Sequence, residues 1–135
     1  MTSAHSDDPF LYPSNAARKT LAVRLGLPFH SQMQDWEWEV ADQERFEEFI
    51  EVYRSGDISD SERHSLMEIL IQCVDDMGSG LRFDFAWGSI EPLLIARSCI
   101  HRSTVEYWAC LEGTEPDMQF QVSRNMRKVW SMIST

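Results

Sequence analysis

The sequence predicts an all-α fold, an irregular bundle of five or six helices joined by short loops. Three observations carry this. Apolar residues recur at helical spacing in several segments, cap residues and glycines bracket those segments, and strict alternation is confined to residues 35–40. A chain of 135 residues fits one domain of the usual size of about 100 to 150. Residues 14–135 are expected to form that domain. Residues 1–13 mix Ser, Asp, His and Pro without a period and read as a loosely ordered tail, pinned by Phe10, Leu11 and Tyr12.

The first helix has both punctuation marks: Ser14 after Pro13 as N-cap, Gly26 for the left-handed exit, and Pro28 to prevent continuation. Asp35-Trp36-Glu37-Trp38-Glu39-Val40 alternates, which predicts either a short extended segment with one apolar face or a rigid lead-in to the next helix. Asp42 can cap that next helix, whose Phe46, Phe49, Ile50 and Tyr53 fall at i, i+3, i+4 and i+7 before Gly56. Ser59 with Glu62 forms a capping box for a helix to about Met77. Its stretch from Leu66 to Val74 is apolar on nearly every side, which predicts a central position.

After Gly78-Ser79-Gly80 a helix should cover about Ser89 to Ile100, with Pro92 in the first turn. A start at Asp84 would instead place Pro92 where it kinks the helix. Ser103 with Glu106 reads as a second capping box, for a short helix through Leu111 that ends near Gly113. Ser123 reads as the cap of a last helix from Arg124 to Ile133.

Of the net charge of −10, essentially all lies in residues 29–77, which carry fourteen acidic and three basic side chains. Such a field repels nucleic acid and anionic lipid and attracts basic partners. Arg124, Arg127 and Lys128 beside Trp130 are too weak a footprint to reverse it and read as a solvated face. Cys73, Cys99 and Cys110 are odd in number and lie among apolar neighbours, as buried thiols in a reducing compartment would. No leader pattern opens the chain and no apolar stretch approaches the ~18 residues of a membrane span. The expected location is the cytoplasm, with no membrane or nucleic-acid partner.

The familiar catalytic and metal-binding spacings are missing: no His-Glu-x-x-His, no Cys-x-x-Cys, no phosphate-binding loop and no Gly-x-Ser-x-Gly. No catalytic residue, metal site or cofactor is expected. His64 and Glu68, at i and i+4, read mainly as an exposed helix pair and only secondarily as a pair that orients a general base or helps hold a metal, in an enzyme using His64 with Glu68 or Asp75. Cys99 and His101, two apart, do not face one way on a helix and make a poor ion site.

One pattern stands out. Glu44, Glu47, Glu48 and Glu51 repeat at i, i+3, i+4 and i+7, so at about 100° per residue they lie nearly opposite the apolar face of the same helix. Glu44 with Glu48 and Glu47 with Glu51 are like-charge pairs, each destabilising by about 0.2–0.5 kcal/mol. Solubility accounts for such a face about as well as function does. The functional reading is a docking surface for a basic protein, with Asp35, Trp36, Glu37, Trp38, Glu39 and Tyr53 contributing charge and aromatic anchors beside the four glutamates, although alternation would turn the two tryptophans toward the body with Val40 and favours core packing for them. Compact, acidic, helical and without a catalytic motif, the chain is similar in type to bacterial immunity and antitoxin proteins. The expected function is therefore to occlude a basic toxin, not to act as an enzyme. A self-associating structural module is the alternative, and the choice between monomer and homodimer stays open.

Overall fold

In a computed structural model, which describes residues 13–112 and 119–134, the chain folds into seven α-helices with no strand among the described residues. They are α1 (Asn15–Leu25), α2 (Trp36–Glu39), α3 (Phe46–Arg54), α4 (Asp60–Met77), α5 (Leu81–Ala96), α6 (Ser98–Ala109) and α7 (Ser123–Ile133), with a 3₁₀ turn, Gln43–Arg45, leading into α3. The tail expected over residues 1–13 lies outside the described residues except for Pro13, and Gly113 lies outside them too.

The central helix is the one the sequence predicts. In α4, Ser59 Oγ accepts from the Glu62 amide (3.1 Å) while Glu62 Oε1 accepts from the Ser59 amide (2.8 Å). Leu66, Met67, Ile69, Leu70, Ile71, Cys73 and Val74 are all fully buried because α1, α2, α3, α5 and α6 surround the helix. α1 opens on Ser14, whose hydroxyl accepts from the Ala17 amide. It closes on Gly26 at φ 66°, with the Leu27 amide reaching back to the Ala22 carbonyl. That left-handed residue costs glycine nothing, because it has no Cβ.

Five expectations change. Residues 36–39 form one helical turn instead of an extended segment, which raises the helix count to seven. Alternation fails as a guide here because an extended segment needs a neighbouring strand to take its backbone groups, and none is present among the described residues. α5 starts at Leu81, ahead of both expected starts, so Pro92 lies deep in the helix. Proline removes the bond to the carbonyl four residues back, and that residue is Gly88, exposed where water can serve the orphaned oxygen. Ser103 sits inside α6, which follows α5 after the single residue Arg97, so no capping box forms there. Ser123 is the first residue of α7 and ties it to α6: its hydroxyl accepts from the Phe120 amide (3.0 Å) and donates to the Trp108 carbonyl (2.8 Å). Arg127 completes that junction by donating to the carbonyls of Ala109 and Cys110, both at 2.8 Å, at the end of α6. Of the cysteines only Cys73 is buried; Cys99 is exposed and Cys110 partly so.

Gly88 gives a direct stability prediction. A Cβ there meets nothing within 4 Å, and the backbone is helical. Gly88→Ala should therefore raise the unfolding free energy by about 0.5–1 kcal/mol through reduced chain entropy in the unfolded state, read as a higher urea midpoint at unchanged slope.

Candidate functional site

The acidic helix face exists, but the chain's own arginines already occupy half of it. Arg45 forks onto Glu48 through Nε (2.9 Å) and Nη2 (2.7 Å) and also donates to the Leu25 carbonyl. This pairing holds the Glu48 carboxyl below its ordinary range. Arg82 reaches Glu44 at 3.1 Å across two exposed side chains, a contact of small energetic weight. Glu47 and Glu51 are exposed and have no ion-pair partner among the described residues. The repulsion expected between Glu44 and Glu48 is thus relieved by cations from outside the acidic row.

The aromatic anchors expected beside it lie elsewhere. Trp36 is fully buried, with its indole N–H on the Pro28 carbonyl at 2.7 Å and its ring edge-on to Phe29. Tyr53 is also interior, its hydroxyl 2.6 Å from His101 Nε2. Glu37 is buried in an ion pair with Arg18, because a helical turn points residues 36 and 37 both inward where alternation would separate them. Trp38 is half-buried against Trp108 and Tyr107. Asp35 and Glu39 remain exposed at the two ends of that turn. Trp36 and Tyr53 therefore belong to the core, and Glu37 is held by Arg18.

An exposed apolar row that the sequence reading passed over takes the anchors' place. Leu81, Phe85, Gly88, Pro92 and Ile95 are all exposed on α5 and, spaced 4, 3, 4 and 3, make one stripe along the helix. Phe85 is 75 % exposed and Leu81 88 %. The signal was available: Phe83, Ala86, Trp87, Ile90 and Leu94 already supply a buried face, so the helix carries more apolar residues than its packing uses. Phe85, Glu44, Glu47 and Arg82 line one groove of about 260 Å³, so the open apolar stripe and the acidic row meet.

His64 and Glu68 are not an exposed pair. His64 is buried and Glu68 half-buried, and Thr104 of α6 joins them: its hydroxyl donates to Glu68 Oε2 (3.0 Å) and lies 3.4 Å from His64 Nε2. Glu68 Oε1 accepts from the indoles of Trp38 (3.1 Å) and Trp108 (2.9 Å). Burial raises the Glu68 carboxyl above its usual value against those three donors, and burial lowers His64. Asp75 takes no part; it accepts from the Val122 amide at 3.1 Å and anchors the approach to α7. Cys99 is exposed while His101 is fully buried, so the two do not converge.

Among the described residues no group of three His, Cys, Asp or Glu side chains could hold a metal ion, and no helix is long and apolar enough to cross a membrane. The chain matches no family model, no curated protein and no solved structure.

Proposed function

We propose that this chain is a protein-binding protein of the immunity or antitoxin type, which inhibits a basic partner by steric and electrostatic occlusion. The observation that carries the reading is the juxtaposition of Phe85, three-quarters exposed, with Glu44 and Glu47 in a single groove. An aromatic ring standing clear of the surface beside carboxylates suits a partner segment with an apolar anchor flanked by lysine or arginine. Glu47 and Glu51 steer the encounter, since charge left unpaired on the free protein is what accelerates association with an oppositely charged surface. The role is occlusion and not catalysis, and no cofactor enters it.

The test screens the products of the genes flanking this chain's own for one that binds it, with association and dissociation then followed by surface plasmon resonance from about 50 to 500 mM salt. Glu47→Gln with Glu51→Gln should slow association severalfold at low salt and flatten its salt dependence. Phe85→Ser should speed dissociation about tenfold or more, as loss of an interface anchor does. Kinetics unaltered by either change would remove this surface from the mechanism.

Self-association is a second reading, favoured by the 4-3-4-3 spacing of the exposed stripe on α5, which is the spacing of a helix–helix seam. The net charge of −10 and the neighbouring glutamates oppose bringing two copies together. Light scattering across a hundredfold concentration range separates the two readings: a constant monomer mass removes the second.

A further inference from the structure

A second cleft, of about 270 Å³, is walled by residues of α1, α2, α4 and α6 and shares none with the groove beside Phe85. Glu68 is one of its lining residues. A carboxylate has about four acceptor positions, and three are filled here, by two indole N–H groups on Oε1 and one hydroxyl on Oε2. Oε2 therefore keeps an open position, and no Lys or Arg among the described residues is paired with it. Arg18 lines the same cleft but is spent on Glu37 and on the carbonyls of Met33 and Gln34. Asp35 at the edge, Glu37 and Glu68 together outweigh that single arginine.

The remaining surroundings add no positive charge. Thr104 donates to Glu68, so its oxygen is left to accept from His64 Nε2–H at 3.4 Å, an arrangement compatible with the neutral tautomer whose Nδ1 has no partner. Burial, which lowers the His64 pKa, favours the same neutral form. Trp38 and the half-exposed Tyr107, with rings nearly parallel at 5.7 Å, form an aromatic wall, and Ser103 also lines the cleft. A half-buried carboxylate with donors but no counter-ion, beside π faces, is suited to receive positive charge. Phosphates and other anions are excluded by sign. Among the described residues no three His, Cys, Asp or Glu side chains come together in a group that could hold a metal ion.

We infer that this cleft binds an organic cation, an alkylammonium or guanidinium head donating to Glu68 Oε2 with its carbon stem along Trp38 and Tyr107. The inference does not rest on the docking surface of α3 and α5. The cleft's volume suits a head and a short stem, smaller than a drug-sized ligand.

The test titrates the full chain with n-butylguanidinium and n-butylammonium chloride at ionic strength held constant with sodium chloride. Tryptophan emission is the readout, since Trp38 and Trp108 are both bonded to Glu68. Saturable one-to-one binding is expected for at least one of the two cations. Neutral n-butylurea should bind at least about tenfold more weakly, and so should the cation to Glu68→Gln, as expected for loss of one charge-assisted hydrogen bond. No saturable response, equal binding of n-butylurea, or full affinity in Glu68→Gln would each overturn the inference. Should Glu68→Gln lose its native circular dichroism, the n-butylurea comparison on the unaltered chain decides alone. A further arm compares N-acetylarginine methylamide with n-butylguanidinium. Tenfold tighter binding of the former assigns the head to a protein side chain, and equal or weaker binding assigns it to a free small cation.

Discussion

Glu37→Ala is expected to lower the unfolding free energy by about 3–5 kcal/mol, the range for breaking a buried ion pair from one side. Arg18 donates from Nε and Nη2 to the two oxygens of Glu37 at 2.8 and 2.7 Å, and from Nη1 and Nη2 to the carbonyls of Met33 and Gln34. One guanidinium thus fastens α1 to the connection before α2 and to α2 itself, with side chains only 9 % and 5 % exposed. Removing the carboxylate leaves a cation away from water with two carbonyls as its only acceptors. The cost comes from that stranded charge more than from the attraction lost. Arg18→Met combined with Glu37→Leu should therefore be markedly less damaging than Glu37→Ala alone. Urea unfolding at pH 7 followed by circular dichroism supplies all three values. A double variant as unstable as the single one would mean that packing, and not the orphaned charge, sets the loss.

The same pair shows where the sequence was legible and where it was not. Signals that close within a few residues came through: Ser14 and Ser59 cap their helices as read, Gly26 ends α1, and the unbroken apolar run of α4 is the centre of the bundle. Features that depend on residues distant in the chain did not. Arg18 and Glu37 are 19 residues apart, and Glu68 meets the indoles of Trp38 and Trp108 over separations of 30 and 40. Seen along one helix, His64 and Glu68 look like a solvated pair; only the packing of α6 against α4 encloses them. Ser103 with Glu106 had the right spacing for a cap at a place where the helix had already begun. Of the expected docking residues, Glu47 and Glu51 stand open, Glu44 and Glu48 are shared with arginines, and Trp36, Glu37 and Tyr53 face inward. The exposed aromatic residue beside the acidic row is Phe85, on a helix whose start the local signals placed too late.

Acid should destabilise the fold through His101 well before most carboxylates are protonated. Burial is the main cause holding this imidazole neutral, with its pKa pushed down to about 3, and the charge that His64 gains on protonation, together with Arg97 and Arg63, acts in the same direction. Its neighbour Tyr53 is pushed the other way by burial, to about 12, and so remains a phenol that can donate to Nε2. With an unfolded pKa of about 6.5, the unfolded chain binds the extra proton as pH falls below that value, while the folded chain refuses it until about pH 3. The contribution is thus fully present above about pH 6.5 and is lost toward pH 3, at about 1.4 kcal/mol per unit once titration of the unfolded state is complete, or about 2 kcal/mol by pH 5. His64, also lowered by burial, adds to the loss. Glu68 and Asp75 act with opposite sign: burial raises both, so acidification from their raised values toward the ordinary carboxylate range favours the folded state and offsets part of the imidazole effect. The overall slope therefore mixes two signs, and a variant is needed to isolate one. His101→Gln keeps an acceptor for the Tyr53 hydroxyl but cannot take up a proton. It should be less stable than the parent at pH 7, and the gap between the two should narrow by about 2 kcal/mol between pH 7 and pH 5. A gap that stays constant over that interval would mean that His101 takes its proton as readily in the folded chain as in the unfolded one.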